Sequence, residues 1–366
     1  MTNSENEPIQ RAFELNVPIR QEILREKAGM VMLQFTERVL PTLYSMVVEG
    51  KGKEDLGSVP GRPGEKQALI DAVGQDRLIN TIRDQKLPAI VIGEHTRQDH
   101  TGNNETYVYF SQDPFDNTSP YKRGLPTPVF SVLSSYDQDS NPIGGVVINI
   151  PAKKAYMNID GEASVVSFDI VDGDEIDEGT NEPIKIAKII KKEPMQRSQR
   201  RTLIHQDATI SSFVGEKDFM IPFNDNFRLL LENFSTKTMI YGEGGAFAWG
   251  LLAAGVIDAI AVRDEWRSEI DPGLALAQLA GCTIVSVDPE TGEFEDYKFD
   301  PTAEDDVPLL IAAATPEIRD EIIRYYMEQK RQDEEKAKNM SNMETFIARH
   351  REEFDIFVAG QETPQA

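Results

Sequence analysis

The sequence has almost no thiol chemistry: among its 366 residues there is a single cysteine, Cys282. One cysteine excludes an internal disulfide and is typical of proteins in a reducing compartment. The first residues also lack the basic and apolar regions of a secretory signal. We therefore expect a cytoplasmic protein.

Long hydrophobic runs are missing as well. The longest apolar stretch, 246–262, contains Asp258 and is interrupted by glycines. It is too short and too polar to cross a bilayer, so it predicts a buried helix followed by a buried strand. We expect no membrane partner.

Positive charge is scarce. The chain has 38 Lys and Arg residues against 62 Asp and Glu residues, which gives a formal net charge of −24. Such a surface repels phosphodiester backbones, so we expect no nucleic-acid partner. The excess acid indicates either a well-hydrated soluble surface or a site that collects cations.

The residue pattern changes near position 205. Before it, helical periodicity at 8–50 and 68–85 is followed by β-branched runs and turns at 127–175, which predict an antiparallel meander. Charged residues at 172–202 predict a loop over the surface. After it, strand and helix patterns alternate, as in an α/β layer.

These patterns predict an α/β protein whose N-terminal part is α+β. The length is enough for two domains. We place an N-terminal domain at 1–205, a C-terminal α/β domain at 206–328 and a charged helical tail at 329–366.

Acidic side chains follow two successive predicted strands. The first strand ends at Glu94 and the second ends at Asp113, with Asp116 just beyond Pro114. If the strands are neighbours, these carboxylates converge and repel each other unless a cation lies between them. Oxygen ligands favour Mg²⁺, or alternatively Mn²⁺, and the turn at the proline would let the carbonyl of Phe115 face the ion.

Groups that can bind phosphate come next in the chain. Asn117, Thr118 and Ser119 offer backbone N–H groups and hydroxyls, and a helix beginning there would favour an anion. A metal beside a phosphate cradle indicates phosphoryl transfer or hydrolysis. The alternative is ordinary turn and helix-cap chemistry, for which Asp-Pro and Asp-Asn-Thr are also suited.

The stretch DPFDNTSPY (113–121) resembles the DP-[IL]-D-[GS]-[ST] signature of the Mg²⁺-dependent, lithium-sensitive phosphomonoesterases. That superfamily holds fructose-1,6-bisphosphatase, inositol monophosphatase and the 3′-nucleotide phosphatases. Asp71 and Glu94 lie at the family's distances before the motif, and Glu269 lies at the family's distance before an Ala-Gly pair. Asp258 supports this alignment, whereas Asp271, the other candidate for the closing acid, is two residues out of register.

The resemblance implies a layered αβαβα sandwich and hydrolysis of a small phosphate monoester by water, with two or three Mg²⁺. The family's metal ligands correspond to Glu94, Asp113, Asp116, Glu269 and the Phe115 carbonyl. Its catalytic residues correspond to Asp71 and Thr118, together with Glu94. The substrate contacts correspond to Asn117, Thr118, Ser119, Arg263 and Asn224.

Within the superfamily, the sequence around Glu269 and the helical stretch at 71–82 look most like fructose-1,6-bisphosphatase. Two positions depart from the family: Asn117 stands where it has glycine, and His95 where it has a second glutamate. The alternatives are an inositol monophosphatase, a 3′-nucleotide phosphatase, or a non-catalytic member that binds phosphorylated ligands or acts as a scaffold. The relatives also imply a homo-oligomer.

Overall fold

The computed structural model describes most of the chain. The described residues are 21–58, 66–93, 99–101, 107–176, 181–204, 207–212, 217–234, 237–242, 244–303 and 306–361. Within them there are seven helices: α1 (Gln21–Glu49), α2 (Leu69–Asp84), α3 (Thr118–Lys122), α4 (Lys217–Asn233), α5 (Ala248–Ala253), α6 (Arg267–Leu279) and α7 (Pro316–Gln361).

The first half of the chain forms a short ribbon and a large sheet. The ribbon pairs β1 (Asp55–Ser58) with β2 (Lys66–Ala68). The large sheet has eight strands in the order β10-β9-β8-β7-β6-β5-β3-β4. Their bounds are β3 (Ala89–Gly93), β4 (Asp99–Thr101), β5 (Val108–Asp116), β6 (Phe130–Tyr136), β7 (Pro142–Asn149), β8 (Lys154–Ile159), β9 (Glu162–Ile176) and β10 (Pro183–Pro194).

The second half forms a six-stranded sheet. Its order is β12-β11-β13-β16-β14-β15. The strands are β11 (Thr209–Ser211), β12 (Met239–Tyr241), β13 (Ala259–Glu265), β14 (Thr283–Val287), β15 (Phe294–Asp296) and β16 (Val307–Ala313). β11 runs parallel to both of its neighbours, whereas β16 is antiparallel to β13 and β14.

Three apolar clusters show how the layers stack. The first joins α1 and α2 to one face of the eight-stranded sheet. The second places α5 and α6 between the other face of that sheet and the six-stranded sheet. The third covers the far face of the six-stranded sheet with α4 and α7. The order is therefore helix, sheet, helix, sheet, helix, which confirms the predicted αβαβα sandwich.

Several local predictions are confirmed. The stretch 246–262 contains the end of a glycine-rich turn, the buried helix α5 and the start of the buried strand β13. The run from β6 to β9 is an antiparallel meander.

No helix in the described part of the chain is long and apolar enough to cross a membrane.

One prediction needs correction. The region 172–202 is not simply a surface loop, because β9 extends to Ile176 and β10 pairs with it along its length. β10 is largely exposed, so it lacks the alternation that identifies a half-buried strand. The tail at 329–366 was predicted to be helical, and α7 runs through it from Pro316 to Gln361. The division into domains stays a prediction.

Candidate metal centre

The end of β3 lies beside the DP motif. β3 and β5 are parallel neighbours, and the last residue of β3, Gly93, is opposite Gln112. This register brings Asp113 to the edge where β3 ends, as the sequence predicted. Glu94 itself lies outside the described residues.

β5 does not end at Asp113 but continues to Asp116 through an irregularity. Asp113 is opposite Val132 and Asp116 is opposite Phe130, so β5 has one extra residue between them. Pro114 has no N–H for the strand ladder, which makes this the place where a bulge costs least. The bulge turns both aspartates of the motif toward the same site.

A glycine of α2 lets the helix approach the bulge closely. A Cβ on Gly74 would lie 3.0 Å from the Pro114 Cβ and 3.1 Å from its carbonyl oxygen. The Gly74 carbonyl also accepts a hydrogen bond from the Gln112 side chain at 3.3 Å. The first turn of α2, which carries Asp71, is thereby held against the motif.

Asp71 and Thr118 form the pair that the resemblance implies. The Thr118 hydroxyl lies 3.0 Å from Asp71 Oδ1 and 2.5 Å from the Phe115 carbonyl oxygen, and both of these atoms are acceptors. Asp71 is fully buried, and its Oδ2 accepts the Ala68 backbone N–H at 2.9 Å. The carboxylate is therefore fixed, with its Oδ1 directed at the threonine.

Asn117 has the left-handed backbone conformation, with φ 72° and ψ 32°. Asparagine tolerates this conformation better than most residues, which explains how it can stand where the family has glycine. Its side-chain amide donates to the Pro128 carbonyl at 2.9 Å. α3 begins at the next residue, and the following Ser119 is exposed.

Glu269 reaches the motif from the second half of the chain. It lies in the first turn of α6, and one carboxylate oxygen from each of Asp113, Asp116 and Glu269 lies within 4.8 Å of the others. Asp271 has different neighbours. Its carboxylate accepts the Tyr297 hydroxyl at 3.0 Å, and burial raises its pKa to about 7. The structure thus brings Glu269 into the cluster, as its register predicted.

Asp116 is the most constrained acid of the three. Burial raises its pKa well above the ordinary value, the negative charge of Glu269 raises it further, and the N–H groups of Phe247 and Asn117 offset this only in part. Within the described residues, no ion pair joins Asp116 to a basic side chain. Ionised, this carboxylate requires positive charge from elsewhere.

Two residues that lie against Asp116 were not predicted from the sequence. The Phe247 backbone N–H donates to Asp116 Oδ2 at 2.7 Å, and the Phe247 ring stacks on Phe130 with centroids 4.4 Å apart. Gly245 has φ +118°, and a Cβ there would lie 2.7 Å from Asp116 Oδ1. The glycine-rich run GEGG at 242–245 was the available signal.

The donor set fits a hard divalent cation. All three side chains offer oxygen, two of them are buried, and their separation is compatible with ligands of one ion or of two ions that share carboxylates. Their roles as metal ligands, and that of the Phe115 carbonyl, stay predictions.

The two remaining substrate candidates have other contacts. Arg263 donates to the Asn226 side chain at 2.8 Å and pairs with Asp264 at 3.2 Å. Asn224 lies exposed on α4. The amide that meets Arg263 is thus Asn226, two residues beyond the predicted one, and the substrate roles of Arg263 and Asn224 stay predictions.

Comparison with known proteins gives similarity in structure alone. No family model and no curated protein matches this sequence. Among solved structures, the extragenic suppressor protein suhB from Bartonella henselae aligns with TM-score 0.57 and 17% identity over 82% of this chain and 98% of its own. An IMPase from Thermotoga maritima aligns with TM-score 0.54 and 17% identity over the same shares.

A third similar structure is an IMPase/NADP phosphatase complexed with Mg²⁺ and phosphate. It has TM-score 0.53 and 13% identity over 82% of this chain and 95% of its own. At these identities the similarity shows the fold, which is the sandwich of inositol monophosphatases. The predicted closeness to fructose-1,6-bisphosphatase has no support in these similarities.

Proposed function

We propose that this protein is a Mg²⁺-dependent phosphatase that hydrolyses a small phosphate monoester. One observation carries the proposal: Asp113 and Asp116 from one sheet meet Glu269 from the helix beside the other sheet. Acids that repel each other in a buried place lower stability unless a ligand compensates them. A metal role accounts for their convergence, and simple turn chemistry does not.

Asp113, Asp116 and Glu269 would hold the ions, with Glu94 and the Phe115 carbonyl as further expected ligands. Bound Mg²⁺ supplies a water of lowered pKa and neutralises charge on the leaving oxygen. Mn²⁺ is the alternative ion. Two or three ions are expected from the resemblance.

Asp71 and Thr118 would orient the attacking water. With Asp71 Oδ1 accepting the threonine proton, the lone pairs of Thr118 Oγ are free to accept a proton from water. The carboxylate then takes up the proton through the threonine. The Ala68 N–H keeps the other carboxylate oxygen occupied, which limits rotation of this base.

The start of α3 would bind the phosphate. The carbonyl of Asn117 accepts the Tyr121 N–H within the helix, whereas the first N–H groups of a helix have no intrahelical acceptor. α3 has only five residues, so these individual N–H groups, and not the helix dipole, would provide the contact. The exposed Ser119 hydroxyl would add to it.

A sugar or polyol phosphate is the proposed substrate class. The Mg²⁺ and phosphate in the similar IMPase/NADP phosphatase structure support Mg²⁺ as the ion and phosphate as the product. An inositol phosphate fits the structural similarity at least as well as fructose 1,6-bisphosphate does, and the 3′-nucleotide phosphates stay an alternative. The proposal includes a cytoplasmic setting.

Phosphate release from a panel of substrates tests the proposal. The panel is inositol 1-phosphate, fructose 1,6-bisphosphate, 3′-phosphoadenosine 5′-phosphate and NADP, each with and without Mg²⁺. We expect Mg²⁺-dependent release that Asp116→Asn abolishes, while the exposed-acid control Asp139→Asn keeps it. Activity that persists in Asp116→Asn would contradict the proposed site.

The same preparation separates catalysis from binding alone. If Mg²⁺ raises the Tm of the wild-type protein but no substrate of the panel is hydrolysed, the non-catalytic alternative gains support. If Mg²⁺ changes neither Tm nor activity, the proposal that these residues bind a metal ion is wrong.

A further inference from the structure

The longest helix, α7, has a buried part and an exposed part. Its first turns are buried through Ile318, Ile322 and Tyr326 and pack on β16 and α4. The last buried side chain among its described residues is Gln329, which accepts the Leu229 N–H at 3.1 Å. Up to this point α7 belongs to the outer layer of the sandwich.

Beyond Asp333, which still pairs with Arg228 of α4 at 3.4 Å, the helix extends away from the sandwich. Every residue of 333–351 whose exposure the structure describes is exposed, although the helix continues to Gln361. At 1.5 Å per residue this distal part is about 40 Å long. An isolated helix gains little stability in water, because most helical stability comes from packing of an apolar face.

The distal part of α7 carries such a face. Met340, Met343 and Ile347 are 65%, 64% and 57% exposed, and their spacing of three and four residues puts them on one stripe. In the sequence the same spacing continues with His350, Phe354 and Phe357. This is the a/d pattern of a helix that pairs with another helix.

We propose that the distal part of α7 is a self-association surface, where it pairs antiparallel with the same segment of a second copy. The residues 340–357 carry two bases, Arg349 and Arg351, and four acids, Glu344, Glu352, Glu353 and Asp355. Two copies of this segment therefore repel each other unless the arrangement brings bases of one copy beside acids of the other.

Charge complementarity selects the antiparallel arrangement. When Ile347 of one copy packs beside His350 of the other, Glu344 and Arg351 lie along the same side of the apolar stripe. Glu344 of each copy then lies near Arg351 of the other copy. In a parallel pair these two charges would not face each other, and the two His350 side chains would meet at the centre. The antiparallel pair is also self-complementary, as a two-fold dimer requires.

This inference does not rest on the proposed function. It gives a physical basis for the expected homo-oligomer, and the segment concerned lies beyond the part of the sequence that resembles the phosphatases. Loss of self-association therefore leaves the proposed catalytic chemistry untouched.

Sedimentation velocity of the full-length protein, over a series of concentrations, tests the surface. We expect a dimer that becomes a monomer in the double variant Met343→Glu, Ile347→Glu. The matched control Asn342→Glu, Thr345→Glu adds the same charge on other sides of the helix and keeps the dimer. A wild-type monomer at about 100 μM, well above the Kd of a specific interface, or a dimer indifferent to the stripe variant, would overturn the proposal.

Charge reversal tests the arrangement. The dimer has two symmetric contacts between position 344 of one copy and position 351 of the other. Glu344→Arg places two positive charges in each contact, and Arg351→Glu places two negative charges there. Each single variant therefore raises the Kd of the dimer by about tenfold. The double reversal, or a mixture of the two single variants, restores opposite charges and hence the wild-type Kd. If the mixture does no better than the single variants, the antiparallel pairing is wrong.

Discussion

Two buried aspartates in this molecule are compensated in opposite ways. Asp258 has no exposed side-chain surface; both of its oxygens lie 3.1 Å from Arg200 Nη1, and the Thr209 N–H donates to it at 2.8 Å. Asp116 is also buried, with 6% of its surface exposed, but the hydrogen bonds it accepts come from backbone N–H groups, and it faces Glu269. The first acid is satisfied by the protein itself, whereas the second lies beside another acid, and we propose that a cation compensates it.

The same kind of compensation occurs in the basic segment MQRSQRR at 195–201. Such a cluster is compatible with an anion site or with a solvated loop. In the structure Arg197 donates to the Ala314 carbonyl, Arg200 pairs with Asp258, and Arg201 lies 3.5 Å from Glu317. These arginines fasten the segment to β13, to the end of β16 and to the start of α7, so the segment is a structural connector.

The largest expected effect comes from Asp116→Asn. Loss of metal-bound charge costs several kcal/mol in the transition state, so activity should fall by about 10²–10⁴-fold. Without Mg²⁺ the variant should be no less stable than wild type, because a repelled buried acid is removed. With Mg²⁺ at ten times Kd, only the wild type should gain about 1.4 kcal/mol.

Urea unfolding with and without Mg²⁺ measures this contrast. If Asp116→Asn is strongly destabilised without metal, then the protein itself compensates Asp116, as it does Asp258. That result would contradict the difference between the two acids.

Asp258→Asn should show the reverse pattern. It leaves Arg200 without its partner, and since Arg200 is 42% exposed the loss should be about 1–3 kcal/mol, below the cost of breaking a fully buried pair. The Mg²⁺-dependent gain in stability should be unchanged. Equal loss of Mg²⁺ binding would show that the two acids are coupled through α6.

Two glycines give a matched test of smaller size. Gly245 and Gly255 both have positive φ, and a Cβ would lie 2.7 Å from Asp116 Oδ1 at the first and 2.8 Å from the Gln196 carbonyl oxygen at the second. Each Gly→Ala change should cost about 1–2 kcal/mol through backbone strain. Only Gly245→Ala should also weaken Mg²⁺ binding, as measured by calorimetric titration, and equal effects on binding would refute the distinction.

The smallest effect concerns a buried acid whose basic partner is largely exposed. Burial opposes ionisation of Asp137, but the Asn141 N–H and Arg25, at 2.6 Å, outweigh it and lower its pKa. A lowered folded pKa stabilises the protein above the unfolded value near 3.9, and this stability is lost as the pH falls through the folded value. Arg25→Met should therefore cost about 0.5 kcal/mol at pH 7.

The same variant should cost almost nothing at a pH below the folded pKa of Asp137, where its carboxyl group is protonated. Thermal unfolding at the two pH values measures this, and a loss of the same size at both would assign it to packing of the arginine stem.

Sequence reasoning reached the site through spacing. Asp113, Asp116 and Thr118 lie within six residues, so local order places them together, and the separation of Glu269 from its Ala-Gly pair selected it over Asp271. Gly245 and Phe247 were missed because their role comes from a backbone N–H and from the absence of a Cβ. The glycine-rich run at 242–245 indicates a turn, but a single sequence does not show which residue that turn contacts.

The strand β10 was missed for a related reason. β10 is largely exposed, so its residues show no alternation between a buried and a solvated face. The tail, in contrast, was predicted to be helical, and α7 continues through it to Gln361.

The residue patterns of the sequence by themselves determined the α/β class and the local order of the DP motif. The αβαβα sandwich and the identity of the three clustered acids came from the resemblance to the phosphomonoesterases, through spacings along the chain. Only the tertiary structure decided which buried acid pairs with an arginine and which lies beside another acid. That choice depends on which backbone and side-chain groups two packed sheets bring within a few ångströms, and such contacts join residues far apart in the chain.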